Sequence, residues 1–282
     1  VRIIGGLGNQ MFQYAAARAL ADHVGADLKL DLRAFSSYDL FSYGLGDLRV
    51  RATEATANEL AAYPDWRQRL FGRMRAYGIS SRYYVEPSMA HDAAFTALQD
   101  GSHLRGYFQS EKYFPAMRDS LRLDFTPAAQ PDDPNQALLS AIHNSNSVML
   151  HVRRGDYITD AKTLAVHGVC SLSYYQAAVA RIRELVTNPH FFVFSNDLDW
   201  ATENLKLGAS ATVVDINSKR PEFDLYLMSH CRHHIIANSS FSWWGAWLGD
   251  QQGTTIAPSP WFSAKDMSAP DICPQHWIPL AK

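Results

Sequence analysis

The sequence predicts an α/β chain with two parallel-sheet domains, residues 1–135 and 136–282. Three observations carry that expectation. Short apolar runs alternate with helix-period stripes along the chain, and repeated strand–helix units build parallel sheets covered on both faces. The length, 282 residues, is long for one compact domain and comfortable for two. Between the halves, Thr126-Pro-Ala-Ala-Gln-Pro-Asp-Asp-Pro134 breaks both periods, and its Pro and Asp content reads as a linker.

In the first domain Val1–Ile4 is a strand, followed by a Gly-rich turn. Phe12, Ala15, Ala16, Ala19, Leu20 and His23 then share one helical face until Gly25 stops the helix. Asp27–Asp31 alternates like a strand. Thr53–Ala76 is helical in character, with a break at Pro64. Leu104–Phe108 reads as a strand feeding a helix from Gln109 to Leu121. In the second domain Val148–Val152, Phe191–Phe194, Thr212–Val214, His234–Ala237 and Thr254–Ala257 read as strands. Helices separate them. One carries Ala178, Val179, Ile182, Leu185 and Val186, with Ser173 as N-cap. The others are Trp200–Leu207, Pro221–Cys231 with Pro at its first turn, and Ser242–Leu248. Ligands of such sheets bind at carboxyl strand ends, so chemistry is expected in the loops there.

Composition narrows the class. Apolar residues make up 47% and charged residues only 19%, enough for a substantial core. A net charge of −2 and a pI of about 6.6 speak against a basic nucleic-acid surface. No run of about 18 apolar residues exists, so no transmembrane segment is expected. Val1–Ile4 reads directly as a strand, which leaves no room for a secretory leader, and the absent initiator Met reads as processing or trimming. Cys170, Cys231 and Cys273 are widely spaced and odd in number. Free thiols in a reducing, cytoplasmic setting fit that pattern better than disulfides.

The most informative stretch is His151-Val-Arg-Arg-Gly-Asp156, directly after an apolar run. Arg153 and Arg154 sit where strand gives way to loop, and the planar guanidinium fork grips phosphate oxygens in pairs. Asp156 offers a base. Cationic hands plus one carboxylate suit a group transferred off a diphosphate; the plain alternative is a surface Arg154–Asp156 pair worth roughly 0–1 kcal/mol. Gly5-Gly-Leu-Gly-Asn-Gln10 either brings backbone N–H groups to a ligand or is simply a tight strand–helix turn. Gly6 and Gly8 begin a dinucleotide fingerprint whose third glycine falls at Met11. Asp31 nonetheless has the spacing of a ribose carboxylate, so a nicotinamide oxidoreductase stays as an alternative. Asp197 and Asp199 form a D-x-D pair that either binds a divalent metal or caps the next helix. Asn238-Ser-Ser-Phe-Ser-Trp-Trp244 places hydroxyls and free N–H groups at a helix start, which makes a phosphate cradle without a cation or an ordinary cap by Ser240 or Ser242. Its formal glycosylation sequon reads as accidental. His230, Cys231, His233 and His234 are metal-ligand types. Their spacing crosses from helix to strand and sends the side chains apart, which speaks against zinc.

In order along the chain, Gly5-Gly-Leu-Gly-Asn-Gln-Met-Phe-Gln-Tyr14, Gly106-Tyr-Phe-Gln-Ser-Glu-Lys-Tyr-Phe114, His151-Val-Arg-Arg-Gly-Asp-Tyr157, Phe194-Ser-Asn-Asp197 and Asn238-Ser-Ser-Phe-Ser-Trp-Trp-Gly-Ala-Trp-Leu248 resemble the motifs of the α-1,2-fucosyltransferases, glycosyltransferase family 11. The family's Asp-Asp appears here as Asn196-Asp197. The want of an N-terminal anchor resembles the bacterial members. The resemblance implies two facing Rossmann-like domains with a cleft between them, the GT-B arrangement. The N-terminal domain takes the acceptor side and the C-terminal domain binds GDP-fucose. The implied reaction moves L-fucose, with inversion, to the 2-hydroxyl of a galactose-terminated oligosaccharide, without cofactor or essential metal. An acceptor on lipopolysaccharide would bring the enzyme to the inner face of the membrane as a peripheral protein.

The same resemblance assigns residues. Arg153 holds the donor diphosphate, with Arg154 beside it, and Asp224 reads the guanine. Ser239 and Ser240 contact diphosphate or fucose, with Asn238 and Phe241 in the same segment. His151 lies beside the nucleotide. Asn9, with Gly8, contacts the donor near sugar and phosphate, and Ser195 and Asp197 complete the donor set. Departing GDP gathers negative charge, so fixed positive charge is the main catalytic lever. Inversion also needs a base within reach of the acceptor hydroxyl. Asp156 is the first choice by proximity, or else it braces Arg153 or Arg154; His151, Glu111 and Asp39 are further candidates. Acceptor contacts are expected from Ser36–Leu48 and Tyr107–Tyr113, with Asp39, Tyr107, Gln109 and Glu111 as candidates. Another GDP-fucose-dependent fucosyltransferase and a catalytically silent glycan-binding protein on the same scaffold are the remaining alternatives.

Overall fold

A computed structural model describes residues 1–36, 40–64 and 82–282, with the Asp156 side chain outside that set. The chain forms two compact units, Val1–Thr126 with Pro270–Ile272, and Pro127–Ala269 with Cys273–Lys282. Residues 127–135 pack with the second unit. Asp132 caps the Asp133–His143 helix and receives Arg220 Nη1 at 2.7 Å, while Asn135 and Asn217 exchange side-chain amide bonds at 2.8 and 3.1 Å.

In the first unit β1 (Lys29–Leu30) pairs in parallel with β2 (Thr53–Glu54), and β3 (Tyr83–Val85) with β4 (His103–Arg105). Val1–Ile3 joins the two pairs. Arg2 N–H donates to the Leu104 carbonyl at 2.9 Å, Ile3 N–H to that of Asp31 at 3.1 Å, and Asp31 N–H to that of Val1 at 2.7 Å. Gly5 then turns the chain at φ 86°, a left-handed conformation that glycine adopts at least cost. The Leu7–Val24 helix follows and ends where Gly25 takes φ 68°. Two expected elements change. The helix sought over Gln109–Leu121 is a 3-10 turn, Glu111–Tyr113, and a separate helix, Arg118–Asp124. Pro115 lacks an N–H and Ala116 takes φ 59°, so a continuous helix cannot pass. Of Thr53–Ala76, only the Ala57–Ala61 turn is helical among the described residues, opened by a Thr56/Glu59 capping box. Residues 65–76 lie outside them.

The second unit is one parallel sheet. Its strands are β5 (Asn146–Val152), β6 (Pro189–Ser195), β7 (Ala211–Val213), β8 (His233–Ile235), β9 (Thr255–Ser259) and β10 (Ile278–Ala281), in the order β10-β9-β8-β5-β6-β7. Counted from β5, this is the 3-2-1-4-5-6 order of dinucleotide-binding sheets. Strand alternation assigns the two faces. Val148, Leu150 and Val152 bury against Tyr174, Tyr175, Ala178, Val179 and Ile182 of the Leu172–Leu185 helix. Met149 faces the other way, toward the mutually packed Pro221–His230 and Ser240–Trp247 helices. Tyr174 Oη donates to the Ile236 carbonyl at 2.6 Å, so a buried hydroxyl is satisfied and one helix is tied to the chain leaving β8. The cap of that helix is Ser171, which accepts Tyr174 N–H at 3.2 Å; Ser173 only shares a hydroxyl contact with it. Among the described residues, no helix is long and apolar enough to cross a membrane.

Gly245 marks a close helix–helix approach, because a Cβ would lie 2.8 Å from Met228 Cβ and 3.1 Å from its sulfur. Ala in place of Gly ordinarily gains up to ~1 kcal/mol in a helix interior, but overpacking costs ~1–3 kcal/mol. Gly245→Ala is therefore expected to lower the melting temperature by a few degrees in thermal denaturation. A rise would show that the contact can relax.

Candidate active site

β5 and β8 are neighbours, yet their outgoing chains take opposite faces of the sheet. Their carboxyl ends diverge and leave a crevice at the topological switch point. His151–Arg154 leave β5 there, and Asn238–Phe241 leave β8. The His151 ring lies 6.1 Å from the Phe241 ring and is only 5% exposed. Burial, with the Arg153 charge beside it, pushes its pKa down to about 3. The imidazole is thus neutral at pH 7, and its buried Nδ1 has no hydrogen-bond partner among the described residues. The Arg153 guanidinium sits 5.3 Å from the centre of the Tyr157 ring.

Across the crevice, Ser239 caps the Ser240–Trp247 helix by accepting Phe241 N–H at 3.3 Å. No acidic side chain occupies the first turn, so the partial positive charge of that helix start is uncompensated locally. Asp224 belongs to the first turn of the Pro221–His230 helix, on the same carboxyl edge of the sheet. Its Oδ1 is buried without a hydrogen-bond partner among the described residues. Burial pushes its carboxyl up to about 7, opposed by Asn217 and Arg220 and aided by Glu222.

Other expected residues are committed elsewhere. Arg154 Nε pairs with Asp197 Oδ2 at 3.1 Å, its guanidinium lies 4.1 Å from the Trp200 ring centre, and its N–H donates to Asn196 Oδ1 at 2.9 Å. Asp197 also caps the Leu198–Leu205 helix through Trp200 N–H at 3.2 Å, and Ser195 Oγ accepts Asp197 N–H at 2.9 Å. These groups bracket the β5 and β6 loops to one another. Asp197 thus both caps the helix and pairs with Arg154. Asn196, where the family carries Asp, packs so tightly that a Cβ on Gly155 would lie 2.3 Å from its Nδ2. Asp156 falls in the Gly155–Thr159 helix; its side chain is outside the described set. The Asn238 amide is 1% exposed and spent. It donates to the His167 carbonyl at 2.8 Å and those of Gly168 and Trp261 at 3.3 Å, and its Oδ1 accepts from Cys170 Sγ at 3.5 Å. Only its backbone is left for a ligand, and a buried amide cannot carry a glycan.

In the first unit, Asn9 Oδ1 accepts Gln109 Nε2 at 2.8 Å, joining the Gly-rich turn to the loop after β4. Gly8 is buried beside it in the first helical turn. Glu86, which sequence reading missed, accepts N–H bonds from Tyr107 at 2.7 Å and Phe108 at 3.0 Å. Burial raises the Glu86 pKa and those two donors oppose it. Gln10, also missed, braces the turn by donating to the Gly5 and Ser42 carbonyls and accepting Gly44 N–H. Tyr107 is 43% exposed, and Glu111 opens the turn capped by Ser110. Asp39 lies outside the described residues. Asp31 is consumed internally, with Arg33 on both oxygens at 2.9 and 2.8 Å and His103 at 3.0 Å. Burial raises its pKa, but those bonds outweigh it and hold the carboxyl well below the usual range. It cannot also bind a ribose, so the nicotinamide alternative loses its carboxylate. The histidines of the 230–234 cluster bond to separate backbone groups of Tyr226, Thr254 and Met228.

A family model described as glycosyl transferase family 11 matches residues 62–281. The chain belongs to glycosyl transferase family 11. It is 37% identical to an alpha-1,2-colitosyltransferase of Escherichia coli, over 100% of this chain and 98% of that protein. It is 30% identical to the O-antigen biosynthesis glycosyltransferase WbnK of Escherichia coli over 98% of both. Similarity to galactoside alpha-(1,2)-fucosyltransferase 1 of Ateles belzebuth is 27%, over 86% of this chain and 63% of that protein. Among solved structures, a mutant of FUT1 from Arabidopsis thaliana in complex with GDP aligns with a TM-score of 0.55 at 15% identity, covering 92% of this chain and 70% of that one. At that identity the likeness speaks to fold, which is of the GT-B glycosyltransferase class.

The bracing of Arg154 has a measurable consequence for this family 11 chain. Arg154→Ala removes a mostly buried ion pair and a ring contact, an expected loss of ~1–2 kcal/mol in stability. An unchanged melting temperature in thermal denaturation would show that this bracing contributes little.

Proposed function

We propose that this chain is an inverting galactoside α-1,2-glycosyltransferase. It would move a fucose-type sugar from a GDP donor to the 2-hydroxyl of a terminal galactose. One observation carries the reading. A single carboxyl sheet edge presents Arg153, the Ser239-capped start of the Ser240–Trp247 helix and the buried Asp224 Oδ1, which has no partner among the described residues. Those are groups for a diphosphate and for the N1–H and N2–H donors of guanine. In the proposed reaction the acceptor oxygen attacks the anomeric carbon and the sugar–phosphate bond breaks with its electrons going to GDP. A base, Asp156 by choice, takes the hydroxyl proton. Arg153 and the helix amides hold the developing charge in place of a metal. The O-antigen name of an E. coli relative supports an acceptor built for lipopolysaccharide and peripheral work at the inner membrane face.

The 37% identity to a colitosyltransferase over the full length favours a second reading, in which the donor sugar is colitose. Lactose mixed with GDP-fucose, or with GDP-colitose, with and without EDTA decides between them. The first reading expects lactose-dependent GDP release from GDP-fucose with an α-1,2 product by NMR. Release from GDP-colitose alone supports the second. No transfer from either leaves the glycan-binding alternative, and activity abolished by EDTA contradicts metal independence.

Arg153→Ala should lower kcat by at least ~100-fold, the scale of losing one key electrostatic donor. Near-normal turnover would end the proposed clamp. Asp224 predicts a pH dependence. Its pKa, raised to about 7, leaves part of the population protonated at neutrality, and a protonated carboxyl accepts poorly from guanine. GDP affinity measured by calorimetry should therefore rise between pH 6 and pH 8, and Asp224→Asn should flatten the profile. A wild-type affinity that falls over that interval would contradict the assignment.

A further inference from the structure

We propose that Tyr157 is the positioning residue for Arg153, its ring fixing where the diphosphate clamp points. The proposal rests on the donor-site reading above. Tyr157 lies four residues past Arg153, in the Gly155–Thr159 helix, and its ring centre is 5.3 Å from the Arg153 guanidinium carbon. An arginine over an aromatic face is held by the ring quadrupole and loses few alternatives when its target arrives.

The ring is itself well anchored. It stacks on His167, centroids 4.9 Å apart at 26°. His167 packs on Phe262 at 5.3 Å, and its carbonyl accepts from Asn238 Nδ2 at 2.8 Å and Lys282 Nζ at 2.6 Å. Tyr157 Oη reaches the Asn238 carbonyl only at 3.4 Å, the weak end of the hydrogen-bond range. Asn238 leaves β8, while Arg153 and Tyr157 follow β5. The stack thus couples both lips of the switch-point crevice, and the ring contributes more than the hydroxyl. Among the residues sought from sequence, none had this role, because a ring that grips a neighbouring arginine has no signature of its own.

The test is a double-mutant cycle on kcat and on the KM for GDP-fucose, with Tyr157→Leu, Tyr157→Phe and Arg153→Lys. Misplacement of a charge that acts in the transition state lowers kcat more than substrate binding. Tyr157→Leu is expected to lower kcat by ~10-fold with the KM within ~3-fold, and Tyr157→Phe to restore kcat to within ~3-fold of wild type. In the Arg153→Lys background, Tyr157→Leu should cost less than ~3-fold, since a residue acting through Arg153 has little left to act through. Equal factors in the two backgrounds would overturn the proposal. So would a Phe variant as impaired as Leu, or a raised KM at unchanged kcat, which would mean direct donor contact. GDP-binding stoichiometry and melting temperature check that the variants are folded; if Leu is not, Tyr157→Met keeps the bulk without the ring. Near-normal kcat in Arg153→Ala would instead defeat the donor-site reading itself, whatever Tyr157 does.

Discussion

The second unit depends on one topological constraint. β5 and β8 hydrogen-bond side by side, but right-handed crossovers carry β5 to β6 over one face and β8 to β9 over the other. Neither loop can cover the other, so the carboxyl edge stays open at that seam. The Ser240–Trp247 helix starts on that edge with no acid in its first turn. The sheet needs no special residue to make an anion site. It needs residues that keep the seam open and add charge to it, and Arg153 and Ser239 follow the strands where that happens.

Buried polar groups around the seam divide into those already satisfied and those that are not. Arg154 bonds to Asp197 and Asn196, and the Asn238 amide to the His167, Gly168 and Trp261 carbonyls, which ties the loops together. His151 Nδ1 and Asp224 Oδ1 are buried and unpartnered among the described residues. An unmade buried hydrogen bond costs about 1–3 kcal/mol, so such groups are expected where a ligand completes them.

Much of this was legible in the chain. β5 and β6 read as strands because both faces are buried and the runs are nearly all apolar. Strand ends drew attention to Arg153 and Ser239, and family motifs to Asp224, the residues proposed above for the donor. What was not legible depended on partners distant in sequence. Arg154 meets Asp197 43 residues away, and Asp31 meets His103 72 residues away. Spacing alone therefore suggested a ribose for Asp31 and could not show that Asp197 braces Arg154. The short strands β3 and β10 carry too few residues to show a period. The false helix over 109–121 came from apolar spacing that continued across Pro115 and Ala116, where the backbone could not follow.

The account's central claim is that the anion seat lies at the β5/β8 seam. A crystal structure of the protein with GDP tests it most directly. The account predicts the β-phosphate within hydrogen-bonding distance of the Arg153 guanidinium, at the start of the Ser240–Trp247 helix, with guanine against Asp224. A pyrophosphate bound away from that seam, with Arg153 turned from it, would contradict the account.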